Sequence, residues 1–184
     1  LVVVYNPQTG IPVALLDGGS ITATRTAAGS ALATKLLARP ESRILTIIGT
    51  GVQARSHALG IPQVIAIDEI RIVGRNQNKS KALSEEVQSR SSCLVTSFDS
   101  PEEALENADI VCTTTHPSAP VLYWSWLSRG THINSIGLER ELDEATVVNS
   151  KVFVESRESV LADPPAGSKD LLLPIKTGAI DSTH

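Results

Sequence analysis

The 184-residue chain is 41% hydrophobic and 20% charged, with a formal net charge of −4. That is apolar enough for a buried core, and it leaves no basic footprint for nucleic acid. No apolar run approaches the ~18 residues that a membrane helix needs, so no membrane partner is expected. The two cysteines, Cys93 and Cys112, lie in apolar stretches. Reduced, buried thiols in a cytoplasmic protein are the expectation.

Residues 1–5 are apolar but carry neither a basic n-region nor a small-residue cleavage site, so they read as a strand, not a signal peptide. The sequence has no Met and opens in mid-strand, so a fragment of a longer protein is expected. Asn6-Pro7-Gln8-Thr9-Gly10 is a turn, and Pro12–Leu16 is a second strand, giving a hairpin. After the break at Asp17-Gly18-Gly19-Ser20, Ser20 is the expected cap of a helix running through Ala38.

A βαβ pattern follows. Ile44–Ile48 is continuously apolar, as a strand buried on both faces should be. A helix is expected at Val52–Gly60, a strand at 70–73, a charged amphipathic helix at 80–90 and a strand at 93–96. A helix with Pro in its first turn covers 101–107. Strands at Ile110–Thr113, 131–136 and 152–155 complete the series. This alternation, from residue 43 to about 162, predicts the α/β class, as a Rossmann-type doubly wound parallel sheet. The tail, 163–184, holds Pro164, Pro165, Gly167 and Pro174 and reads as loop.

Gly49-Thr50-Gly51-Val52-Gln53-Ala54 has the form GxGxxA, between an apolar strand and a helix. Gly49 permits a tight turn, Gly51 lets the backbone approach a pyrophosphate, and Ala54 allows close helix–strand packing. The first amides of the helix then face the phosphates with the positive end of the dipole. The next strand ends at Val73-Gly74-Arg75-Asn76, where NAD enzymes place an acidic residue on the ribose. Arg75 stands there instead and can pair with a 2′-phosphate, with Asn76 and Lys79 assisting. NADP(H) is therefore favoured, with NAD(H) possible.

Leu15-Leu16-Asp17-Gly18 and the stretch Ile21-Thr22-Ala23-Thr24-Arg25-Thr26-Ala27-Ala28 resemble the LLDG…LTAxRTAA segment of the ornithine cyclodeaminase/mu-crystallin family. Gly49 to Ala54 with Arg55 and His57 is similar to its GTGVQAR-x-H segment. Cys112-Thr113-Thr114-Thr115, Ile133-Asn134-Ser135-Ile136-Gly137, Arg140-Glu141-Leu142-Asp143 and Asp170-Leu171-Leu172 follow in the family's order. The resemblance implies a protein that binds NAD(H) or NADP(H) and interconverts imine and amine on an amino acid or cyclic imino acid. Ornithine cyclodeaminases, alanine dehydrogenases and ketimine or pyrroline-carboxylate reductases belong to it, and so does mu-crystallin, which also binds hormone. A homodimer is implied.

By position, the resemblance makes Arg25 the ligand of the substrate carboxylate beside the nicotinamide; a planar cationic fork suits that task. The alternative for Arg25 is a helix-surface salt bridge. Val52 and Gln53 would meet the pyrophosphate, Thr113 and Thr114 the ribose, and Ser135, Ile136 and Gly137 the nicotinamide. The spacing of His57, His116 and His132 offers no metal site.

Two departures stand out. Family chains carry a substantial segment before the hairpin, which supplies further basic residues and dimer surface. Cyclodeaminases also place a catalytic Asp after the strand at 131–136; here only Leu138 and Glu139 separate Gly137 from Arg140, and Glu139 is the one acidic candidate. The expected organisation is hairpin and helix of an incomplete substrate or dimerisation domain at 1–38, a dinucleotide domain at 39–162, and a C-terminal segment at 163–184. The expected function is an NAD(P)-dependent oxidoreductase or cyclodeaminase. The alternatives are a non-enzymatic NADP- or small-molecule-binding protein on the same fold and an inactive truncated remnant.

Overall fold

The computed structural model describes residues 1–137, 139–163 and 166–183; Leu138, Pro164, Pro165 and His184 lie outside the described residues. The chain opens with an antiparallel hairpin of β1 (Val2–Tyr5) and β2 (Pro12–Leu16), with Val3 opposite Leu15. The turn is built on Asn6, whose Oδ1 accepts hydrogen bonds from the amides of Gln8 and Thr9. Such side-chain mimicry of a turn is the usual use of Asn in this position.

Helix α1 (Gly18–Leu37) begins three residues before the expected start. Its cap is Asp17, not Ser20: the Asp17 carboxylate accepts from the amides of Gly19 and Ser20 and from the Ser20 hydroxyl. An ionised acceptor competes better than a hydroxyl for the free amides at a helix start. The buried face of α1 carries Ala23, Ala27, Ser30, Ala31 and Thr34. These small side chains recur at helical spacing and let α1 approach α2 (Val52–Gly60) closely, with Ala27 against Gly60.

The main sheet comprises β3 (Ile44–Ile48), β4 (Glu69–Val73), β5 (Leu94–Phe98), β6 (Ile110–Thr113) and β7 (His132–Ser135). All neighbours are parallel, in the order β5-β4-β3-β6-β7. The order reverses direction at β3, which makes a crevice at the carboxyl ends of β3 and β6. Besides α2, the crossovers include α3 (Gln77–Gln88) and α4 (Pro101–Leu105). Leu45 and Ile47 pack with Ile70, Ile72, Ile110 and Cys112 under α2 and α3. Ile48, Val73 and Val111 pack on the other face with Ala104, Leu105 and Leu122. Both faces are covered, which is why the strand sequences are continuously apolar.

Two expectations fail in the last third. Residues 152–155 form no strand; Phe153 and Val154 stay exposed and β7 remains the sheet edge. An extended apolar segment has the same sequence pattern whether or not it pairs. The tail is not all loop: after α5 (Glu144–Val148) and α6 (Arg157–Val160), α7 runs Lys169–Thr177 with Pro174 inside it. Proline costs a helix one amide donor, but the buried anchor of this helix, Asp170, holds it in place. Gly178, at φ 75°, ends it in the left-handed conformation. Among the described residues no helix is long and apolar enough to cross a membrane.

Candidate functional site

The turn after β3 is tightly enclosed. Gly49 has a φ of 131°, and a Cβ there would collide with the Thr114 hydroxyl and lie 2.7 Å from its carbonyl oxygen. Only glycine fits, because backbone strain and the approach of β6 act together. Gly51 is different. It precedes α2 with an ordinary extended backbone, and a Cβ there would meet nothing within 4 Å. Its missing side chain leaves open space over the first amides of α2, which have no partners within the helix. Ala54, three positions on, is fully buried against the sheet.

A cleft of about 810 Å³ opens at the carboxyl ends of β3 and β6. It is lined by Gly49, Thr50, Arg75, Asn76, Lys79 and Thr114, all singled out from the sequence. Asn76 also caps α3 by accepting from the Lys79 amide. Among the described residues no ion pair engages Arg75 or Lys79, and both are exposed. The cleft also contains Asp99, His116, Tyr123 and Trp126, which sequence reasoning missed as site residues. Tyr123 and Trp126 meet edge to face with centroids 4.6 Å apart. Tyr123 precedes and Trp126 ends a single 3-10 turn, Trp124–Trp126, too short for periodicity to mark them.

Other candidates lie elsewhere. Arg25 is exposed on α1, with its guanidinium 3.7 Å from Glu155 and outside this cleft. Val52 is exposed at the start of α2, and the buried Oε1 of Gln53 has no partner. Thr113 is fully buried and donates to Glu141 rather than facing the cleft. Ser135, Ile136 and Gly137 stand at the end of β7, where Ser135 donates to Asp170 and the Gly137 amide to Glu141. Glu139 pairs with Lys169 at 2.6 Å, both half-exposed. His57 is buried between α1 and α2, with Nδ1 2.7 Å from the Gln53 carbonyl and Nε2 2.9 Å from Ser30 Oγ. Burial lowers its pKa, as it does that of His132. Burial also pushes the Cys112 thiol up to about 12, which removes it as a nucleophile. Among the described residues no cluster of His, Cys, Asp and Glu could hold a metal.

A doubly wound parallel sheet whose first crossover starts at a glycine turn and opens on a crevice defines a Rossmann-type dinucleotide-binding domain. The chain belongs to the ornithine cyclodeaminase/mu-crystallin family, whose profile matches residues 1–164. It is 37% identical to the ketimine reductase mu-crystallin of Mus musculus, over 94% of this chain and 54% of the relative. It is also 37% identical to a Delta(1)-pyrroline-2-carboxylate reductase of Bacillus cereus, over 100% of this chain and 56% of the relative. Among solved structures, the Thermococcus litoralis Delta(1)-pyrroline-2-carboxylate reductase in complex with NADH and L-proline aligns with a TM-score of 0.93 and 40% identity, covering 99% of this chain and 56% of that one. An archaeal alanine dehydrogenase dimer with bound NAD aligns with a TM-score of 0.86 and 28% identity, covering 98% of this chain and 55% of that one. The chain thus spans about half the length of the relatives it matches.

Proposed function

We propose that this chain is the dinucleotide-binding part of an NAD(P)-dependent enzyme that reduces a cyclic imino acid or acts on the corresponding amino acid. The observation that carries this is the pair of glycines at the end of β3. Gly49 makes the turn, and Gly51 leaves a free approach to the amides of α2 beside an 810 Å³ cleft. An anionic pyrophosphate suits that place because unpaired amides and the helix dipole both favour negative charge. When bound, the cofactor supplies or accepts hydride; the protein positions and shields the reacting groups. Thr50, Gly51, Val52 and Gln53 would hold the pyrophosphate, Thr114 the ribose, and the ends of β6 and β7 the nicotinamide. Arg25 is proposed as the carboxylate ligand, exchanging its exposed pair with Glu155 for substrate. A division into a substrate or dimerisation part at 1–38, a dinucleotide part at 39–162 and a returning segment at 163–184 is proposed with it, in a cytoplasmic homodimer.

NADP(H) is the preferred cofactor in this reading, because Arg75 and Lys79 present unpaired cations to the cleft and no carboxylate stands at the end of β4. Arg75→Asp should then weaken NADPH by about ten- to a hundredfold and NADH far less. Equal losses for both would reject the preference. Gly51→Val tests the site itself: it has room in the folded protein, so it should fold normally and lose dinucleotide binding in calorimetric titration. Unchanged affinity in that variant would remove the loop assignment. Oxidation of NADPH with a panel of cyclic imines, measured on the full-length protein, tests the reaction. Cofactor binding without turnover on any imine would favour the non-enzymatic alternative.

A further inference from the structure

Glu141 is fully buried, yet its carboxylate is the most heavily hydrogen-bonded side chain near the cleft. Oε1 accepts from the amide of Thr115 at 2.6 Å and from its hydroxyl at 2.5 Å. Oε2 accepts from the Thr113 hydroxyl at 2.9 Å and the Gly137 amide at 2.7 Å. One side chain thus ties the carboxyl end of β6 to the carboxyl end of β7. Its own backbone is fixed in turn: Asp170, on α7, accepts from the amides of Glu141 and Leu142 at 2.9 and 3.0 Å, and from the Ser135 hydroxyl at 2.8 Å. Burial, and the charge of Glu141 beside it, push the Asp170 carboxyl above its ordinary range, against hydrogen bonds that lower it.

Stability alone does not explain this arrangement. Taking a carboxylate out of water is costly, and an apolar side chain would fill the same space at less expense. What an apolar side chain lacks is the ability to draw donors from two strand ends onto one point. Those ends carry Thr114 between two anchored threonines, and Ser135 to Gly137. They are the segments assigned above to the ribose and the nicotinamide.

We propose that Glu141 is a positioning residue for the nicotinamide half of the cofactor, setting the ends of β6 and β7 relative to each other, with Asp170 holding Glu141 in register. This rests on the dinucleotide reading above. A binding site must be held to about half an ångström by its supporting hydrogen bonds, and this carboxylate is the common support of both segments. Glu141→Gln keeps the volume but must turn its NH2 toward the amide of Thr115 or of Gly137, donor against donor, so one strand end is released.

The test uses the full-length protein and two kinds of ligand: NADH or NADPH, and ADP-ribose or its 2′-phosphate, which lack the nicotinamide. Glu141→Gln should lower affinity for the reduced dinucleotide about tenfold and abolish the rise in nicotinamide fluorescence on binding, while ADP-ribose affinity stays within about twofold. Gly137→Ala is the second variant. Its Cβ would stand 2.7 Å from the Glu141 carboxyl carbon, so it displaces the carboxylate without removing the charge. It should show the same split; because Gly137 itself lies in the nicotinamide segment, Asp170→Ala, which releases the Glu141 amide from outside that segment and should show the split too, decides the matter if Glu141→Gln does not fold. Equal losses for both ligands would mean a general structural role, and no loss for either would mean no role; each overturns the proposal. A wild-type protein that binds none of these ligands overturns the dinucleotide reading, and the proposal with it.

Discussion

The N-terminal hairpin and the five-stranded sheet are made of the same kinds of residue but end in opposite environments. In the sheet, Leu45, Ile47, Ile70 and Ile72 have no exposed surface at all. In the hairpin, Val3 is 40% exposed, Val13 61% and Leu15 65%. Residues on both faces of the hairpin are uncovered, and Leu32 and Leu36 on α1 are exposed as well. A strand is buried by what packs on it, not by its own hydrophobicity. The sheet receives helices on both faces from its own crossovers. The hairpin has none among the described residues, and a two-stranded ribbon is marginal alone in water.

The largest test of this contrast is stability. Ile47→Ala should cost about 2–5 kcal/mol, since it removes buried surface and leaves a cavity among fixed neighbours. Leu15→Ala should cost no more than about 0.5 kcal/mol in the same chain. Urea denaturation measures both, and similar costs would mean that the hairpin is packed in solution.

Next is pH. Burial holds the pKa values of His57 and His132 below the ordinary 6.5, so the folded chain keeps both neutral while the unfolded chain protonates them. Their contribution is complete above pH 6.5 and is lost as pH falls below it toward the depressed folded values, by at most about 1.4 kcal/mol per pH unit for each. Asp170 works the other way: its raised folded pKa lets the native state take up a proton first, so it favours the fold as pH falls toward 3.8. The urea midpoint should therefore drop between pH 7 and 5.5, and His57→Gln should flatten that drop. The hairpin holds neither His nor carboxylate and should add nothing; a midpoint independent of pH would contradict the assignment of both histidines.

The smallest effect on stability comes from the hairpin surface itself. The 184-residue chain alone should self-associate or precipitate through this surface, because apolar edges recruit other strands. Val13→Thr with Leu15→Lys should reduce light scattering while changing stability by no more than about 0.5 kcal/mol. Unchanged scattering would place the sticky surface elsewhere.

Much of the fold was legible because each signal was local. The apolar runs at Ile44–Ile48 and Ile110–Thr113, the glycine turn between β3 and α2, and the Asn6 turn all rest on residues close in sequence. The misreadings share a different cause. Ser20 and Asp17 are both fair caps, and only the geometry of the turn chose Asp17. Residues 152–155 have the composition of a strand but pair with neither edge of the sheet. Pro174 argued against a helix that a distant contact of Asp170 stabilises.

The site divides in the same way. The residues of one loop and one strand end, Gly49 to Ala54 and Val73 to Asn76, were readable because GxGxxA is a backbone requirement written in side-chain size. Tyr123 and Trp126 reach the cleft from one segment and Asp99 from another. Glu141 appeared in the sequence only as part of a family motif. Its role depends on donors 26 and 28 residues away and on Asp170, 29 residues further on. By itself the sequence determined the alternation of strands and helices, the glycine turn and the family, since periodicity and steric need act between neighbours. Only the tertiary structure decided which carboxylates are buried, which cations are left free and which apolar strands stay uncovered. Those outcomes depend on what packs across the chain, and no local pattern encodes it.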